Sequence, residues 1–244
     1  FEQHAGFAEA GTGAWTSLAC ADFNGDGHLD YAVGNLGLNT PYRADATHPA
    51  LIFALTPAEG GAPSLIEGYY EGEKLFPRRS RRDLRSALPA ILKQFPRNDA
   101  YARASLEEIV EREKLAAADR FAITELRSGV FLSEGPGRFR FAPLPRVAQI
   151  APLQGLVAGD FDGDGRADLC AVQNSYAPAP VIGRFDGGLG QLLRGDGRGG
   201  AVGDGLEPAR LPHRLRAFVA GAEIVRPLPP LCPLPDRADL QPAG

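Results

Sequence analysis

A nine-residue acidic loop, DFNGDGHLD at residues 22–30, recurs as DFDGDGRAD at residues 160–168, and each copy lies between short apolar runs. In both copies oxygen-bearing side chains fall at loop positions 1, 3, 5 and 9, with glycine at 4 and 6. Calcium is a hard cation that takes about six to eight oxygen ligands, so a short loop must aim several of them at one point. Glycine permits the sharp turning this needs, because it reaches positive φ without steric penalty. The spacing therefore predicts two calcium sites. In the first, Asp22, Asn24, Asp26 and Asp30 serve through side chains and His28 through its backbone carbonyl. In the second, Asp160, Asp162, Asp164 and Asp168 serve through side chains and Arg166 through its carbonyl. The side chains of His28 and Arg166 are expected to point away. The first set holds three carboxylates and the second four, and since ligand charge tunes calcium affinity the second site is expected to be tighter.

Turn preference alone places Asp, Asn and Gly together, but it does not explain two copies that also share a phenylalanine at position 2, Phe23 and Phe161. An EF-hand loop begins in the same way and needs a bidentate Glu at its twelfth position between two helices. Val33 and Ala171 stand there instead. The flanks TSLACA, YAVGN, GLVAG and LCAVQN are short and rich in strand formers, so each loop joins strands.

Thirty glycines and 21 prolines in 244 residues mark a chain with many turns, which favours an all-β architecture. No apolar stretch reaches the roughly 18 residues needed to cross a bilayer. The chain starts at Phe1 and contains no Met, as expected of a mature or excised piece. A formal charge of −4 argues against nucleic-acid binding. Cys20, Cys170 and Cys232 form no metal-binding spacing. Cys20 and Cys170 lie in the apolar runs beside the loops, where small buried thiols are common; one disulfide is the alternative.

Strand, acidic loop, strand and then a turn-rich hairpin describe a four-stranded antiparallel unit. Candidate hairpins are FLSEGPGRFRF at 131–141 and QLLRGDGRGG at 191–200. Such units arranged around an axis form a β-propeller, which typically has about four to eight blades. Between the loops, Leu84, Leu88, Ile91, Leu92 and Phe95 follow helical spacing, and Pro89 is placed to begin a second short helix. Ser105 and Glu108 form a capping-box signature for a third helix running to about Ala118. The expected organisation is an all-β chain with a helical insertion, a partial propeller of about three to four blades. Blades occupy residues 1–77 and 121–226, helices occupy roughly 78–120, and a proline-rich tail covers 227–244. Arg78, Arg79, Arg81, Arg82 and Arg85 form the strongest basic cluster, read as a solvated helix face or as an anion site.

The strand-flanked acidic loops resemble FG-GAP/VCBS repeats, the calcium-binding blades also found in the integrin α-chain propeller. The stretches GAWTSLACADFNGDGHLDYAVGNLGLNTPYRA, SRRDLRSALPAILKQFPRNDAYARASLEEI and GRFDGGLGQLLRGDGRGG are similar in order and spacing to bacterial secreted VCBS-repeat proteins related to cartilage acidic protein. The resemblance covers roughly residues 5–205. It implies a further acidic loop before Tyr69 and Tyr70; in TPAEGGAPS, Thr56, Ala58, Gly60 and Ser64 stand at the ligand positions, so that blade is expected to have lost its metal. Related propellers close with about seven blades. Too few blades here imply a fragment of a larger propeller or a subunit completed by neighbours, because open sheet edges invite pairing.

These features point to a non-enzymatic, calcium-stabilised extracellular or cell-surface scaffold, or a periplasmic one, from a bacterium. Its role would be adhesion or assembly with a protein or glycan partner, with self-assembly or further blades as other completions. The alternative is a glycan-binding module or polysaccharide lyase or hydrolase on the same scaffold, since one architecture hosts many functions. The tripeptide Arg194-Gly195-Asp196 spells the adhesion motif that integrins read, but in LLRGDGRGG it is expected to serve the turn.

Overall fold

Small and branched apolar residues on both sides of each acidic loop form an antiparallel pair. In the computed structural model, which describes residues 7, 10–56, 60–176, 183–197 and 206–209, β1 (Ser17–Ala21) and β2 (Asp30–Gly34) flank the first loop. β9 (Leu153–Gly159) and β10 (Asp168–Gln173) flank the second. The register is the same at both: Ala21 pairs with Asp30 and Gly159 with Asp168, so the final aspartate of each loop opens the returning strand.

Twelve strands form three four-stranded antiparallel sheets among the described residues. Sheet 1 has the order β1-β2-β7-β8, with β7 at Gly129–Ser133 and β8 at Phe139–Pro143. Sheet 2 has the order β5-β4-β3-β6, from β3 (Ala50–Leu55), β4 (Ser64–Glu71), β5 (Lys74–Pro77) and β6 (Asp119–Ile123). Sheet 3 has the order β9-β10-β11-β12, with β11 at Gln191–Gly195 and β12 at Leu206–Ala209. The fold is an all-β, partial propeller-like array. The predicted hairpin at 131–141 is β7–β8, and it completes sheet 1: the chain leaves after β2, builds sheet 2, and returns.

Sheets 1 and 3 share one core. Ala32, Val130, Leu132 and Ala142 of sheet 1 meet Leu153, Leu169, Ala171 and Leu193 of sheet 3. The approach is close, since a Cβ on Gly34 would lie 2.3 Å from the Leu153 carbonyl oxygen. Buried amides tie the surrounding loops together. The Asn35 side chain donates to the Glu125 carbonyl at 2.9 Å, and Gln149 donates to the carbonyls of Ser128 and Leu144 at 2.9 and 3.0 Å. On the opposite face of sheet 1, Phe7 stacks on Phe139 at 4.4 Å and meets Phe131 edge-on at 5.0 Å.

Helices cover one face of sheet 2. A 3₁₀ turn at Asp83–Ser86 precedes α1 (Ile91–Gln94), α2 (Asn98–Arg103), α3 (Leu106–Ile109) and α4 (Arg112–Ala117). Leu84, Ile91, Leu106, Ile109 and Val110 bury against Leu51, Phe53 and Ile66 of the sheet. The capping box forms, with the Ser105 hydroxyl accepting from the Glu108 N–H and the Glu108 carboxylate from the Ser105 N–H. The helix it starts is shorter than expected. Val110 turns extended, at φ −109° and ψ 123°, to bury its side chain, and a separate helix follows. The second short helix begins at Ile91, after the turn at Pro89.

Cys170 carries a free thiol, whereas Cys20 is disulfide-bonded, which corrects the expectation of two buried thiols. Cys232, the proline-rich tail at 227–244 and the end of the second predicted hairpin lie outside the described residues. Among the described residues no helix is long and apolar enough to cross a membrane.

Candidate metal centre

Each acidic loop is wound around its first aspartate. Asp22 Oδ1 accepts from the N–H groups of Gly25 and Asp26 at 2.7 and 3.1 Å, and Oδ2 from Gly27 at 2.8 Å. Asp160 does the same with Gly163 and Asp164 at 2.7 and 3.1 Å and with Gly165 at 2.9 Å. The glycines turn the chain by adopting φ of 75° and 84° at Gly25 and Gly27, and 82° and 83° at Gly163 and Gly165. At position 3, the Asn24 and Asp162 oxygens accept from the N–H groups of Asp26 and Asp164 at 3.0 and 3.2 Å. At position 5, the Asp26 and Asp164 carboxylates accept from the N–H groups of His28 and Arg166 at 2.8 and 3.0 Å. That bond, with the Asn24 amide, holds the Asp26 carboxyl below the ordinary carboxylate range.

The aspartate at position 9 is buried and links the loop to the third strand of its sheet. Asp30 Oδ2 accepts from the Phe23 N–H at 3.0 Å and Oδ1 from the Ser133 N–H on β7 at 2.8 Å. Asp168 Oδ2 accepts from the Phe161 N–H at 2.9 Å and Oδ1 from the Gly195 N–H on β11 at 2.9 Å. Burial pushes the Asp30 carboxyl up, against the lowering effect of those two amides.

In the second loop, Asp160, Asp162 and Asp168 each present a carboxylate oxygen within 4.8 Å of the other two. Oxygens around one calcium lie about 2.3–2.6 Å from the ion, hence up to about 5 Å apart across it. The donor set is all oxygen and anionic, so the cluster could hold a hard cation. The first loop carries an amide, Asn24, at the third position, and among the described residues the second loop alone brings three acidic groups this close. Asp164 belongs to the same loop, where its carboxylate accepts from the Arg166 N–H. The Arg166 side chain does not point fully away: its guanidinium lies 3.7 Å from Asp164.

Sequence reasoning missed the residues that β11 and β7 contribute. Arg194 forms an ion pair with Asp162, while Gly195 sits so close to Ala167 that a Cβ would lie 2.2 Å from its carbonyl oxygen. Two members of the Arg194-Gly195-Asp196 tripeptide are thus built into the loop's support. Leu193 of β11 stands opposite Leu169 as Phe131 of β7 stands opposite Tyr31, and this register makes Gly195 the counterpart of Ser133. The predicted worn loop at 56–64 joins β3 to β4, the two central strands of sheet 2, whereas the acidic loops join an edge strand to its neighbour. Its residues Pro57, Ala58 and Glu59 lie outside the described residues.

Fold and loops together define a propeller-type scaffold with two acidic hairpins, the second of which could hold a cation. In agreement, the family model of the FG-GAP-like repeat matches residues 117–171, from the last residue of α4 through β6 and the second acidic loop into β10. A repeat of this kind is generally a non-catalytic scaffold for protein interaction. No curated protein and no solved structure gives a significant match.

Proposed function

We propose that this chain forms the blades and helical insertion of a calcium-stabilised, extracellular β-propeller scaffold that engages a protein partner at a bacterial cell surface. In this organisation blades at 1–77 and 121–226 flank the insertion at 78–120, a division that rests on the resemblance to secreted VCBS-repeat proteins related to cartilage acidic protein. The observation that carries the proposal is the convergence of Asp160, Asp162 and Asp168, in a loop whose hydrogen-bond plan is repeated at Asp22–Asp30. Two calcium ions would be held, one by Asp22, Asn24, Asp26, Asp30 and the His28 carbonyl, the other by Asp160, Asp162, Asp164, Asp168 and the Arg166 carbonyl. Each ion would fix a hairpin that joins an edge strand to its sheet. The disulfide at Cys20 suits an oxidising compartment, where calcium is abundant.

Extracellular calcium modules have Kd values of about 10⁻⁴–10⁻³ M. Binding to the folded state alone then adds about 0.4–1.4 kcal/mol per site at about 1 mM calcium. Thermal unfolding in calcium and in EGTA tests this, with a higher Tm expected in calcium. An unchanged Tm, or a calcium effect that survives Asp22→Ala combined with Asp160→Ala, refutes it.

A further inference from the structure

Helices cover sheet 2 on one face only. Leu51 and Phe53 of β3 bury against those helices, so Ile52 between them faces the other way, opposite Glu67 on β4. Ile52 and Glu67 both line a cavity of about 370 Å³. Its other walls come from connections beside sheets 1 and 3: Leu36 follows β2, Leu126 precedes β7 and Pro152 precedes β9. Phe185 closes a further side, held there by paired backbone bonds with Ser175 at 2.8 and 3.1 Å. The volume lies within the range of about 300–1,000 Å³ typical of small-molecule sites.

Glu67 is the sole charged wall among the described residues, and its charge is already matched. Its side chain is 16 % exposed and pairs with Arg79 at 3.2 Å through one oxygen, while the other accepts from the Tyr42 hydroxyl at 3.1 Å. Tyr42, itself part of the wall, thus donates its proton to Glu67, and burial, then that carboxylate, push its pKa up to about 12. The remaining polar walls, Gln154 and Ser175, carry no charge.

An ion entering this cavity would lose its hydration and find no free counter-charge, which is costly. A neutral apolar body gains from the same transfer. An apolar cavity of about 150 Å³ stays dry and takes one benzene ring. At about 370 Å³, this one has room for two fused rings.

We propose that the cavity binds a small neutral apolar molecule the size of two fused rings. The site shares no residue with the acidic loops. Three probes with one body test it at neutral pH: naphthalenemethanol is uncharged, naphthoate is an anion and naphthylmethylammonium is a cation. In calorimetric titration of the full chain at constant calcium, the alcohol is expected to bind at least about tenfold more tightly than either ion. Ile52→Phe and Leu36→Phe add bulk to two different walls, both at half-buried positions, and each should weaken the alcohol by about tenfold or more. Should one of them fail to fold, the other carries the test. Ala117→Phe, in the separate groove between the helices and sheet 2, should leave binding unchanged. No binding of the alcohol at about 1 mM, an ion binding as tightly as the alcohol, insensitivity to the folded wall variants, or loss through Ala117→Phe instead would each overturn the proposal.

Discussion

Asp168→Asn replaces a buried carboxylate with an isostere and separates the fold role of this residue from its proposed metal role. Both Asp168 oxygens face N–H donors, Phe161 at 2.9 Å and Gly195 at 2.9 Å, and the residue has no exposed surface. A carboxylate accepts at both oxygens, but an amide offers one acceptor and one donor. Either orientation of the asparagine therefore sets an NH₂ against a backbone N–H. One buried donor left unsatisfied costs about 1–3 kcal/mol. Asp162→Asn is the control. Its side chain is 24 % exposed, and it keeps an oxygen for the Asp164 N–H, now 3.2 Å away, while losing only a surface ion pair with Arg194. Such a pair contributes about 0–1 kcal/mol. Both variants remove one charge from the same ligand set, so calcium affinity should fall in both. Urea unfolding in EGTA should show Asp168→Asn less stable than Asp162→Asn by about 1–2 kcal/mol. Equal stability of the two in EGTA would mean that the buried carboxylate serves the metal alone, and the reasoning would fail.

Arg194→Gln frees Asp162 from a tethered cation, so calcium affinity at the second loop should rise by a factor of about 1.4–5, the equivalent of an exposed ion pair; calorimetric titration showing weaker binding would contradict this. Leu193 is fully buried between sheets 1 and 3, and Leu193→Ala should lose about 2–5 kcal/mol in urea unfolding. Burial, then the Glu67 carboxylate, push the Tyr42 hydroxyl up to about 12. Because its folded pKa lies above the unfolded value near 10, its contribution to stability is intact below about pH 10 and is lost as pH rises through about 12. Phenolate absorbance should show Tyr42→Phe removing a late-titrating group; a tyrosine spectrum complete by pH 11 would refute it.

Much of the loop geometry at the candidate metal centre was legible because it is local. Asp22 and Asp160 find their donors three to five residues ahead. Turn chemistry at that range depends on local residue order, so the shared aspartates and glycines give the same loop twice. The capping box at Ser105 and Glu108 was legible for the same reason. The helix it opens was overestimated, because burial of Val110 is a tertiary demand that helical periodicity does not encode.

The sequence by itself determined the acidic hairpins, their glycine turns and the strand character on either side, since these rest on hydrogen bonds and steric preferences within about ten residues. Only the tertiary structure decided what each hairpin meets. β2 takes β7 as its neighbour across an entire intervening sheet. Phe23 is 6 % exposed, within the core between sheets 1 and 3, while its repeat partner Phe161 is 37 % exposed. Ser133 and Gly195 arrive from distant strands to cap the buried aspartates, and Arg194 arrives beside Asp162. Sheet partners are chosen by the apolar surface they bury and the backbone groups they pair. Those gains depend on which strands meet across the whole chain, so two closely similar nine-residue motifs acquire different surroundings.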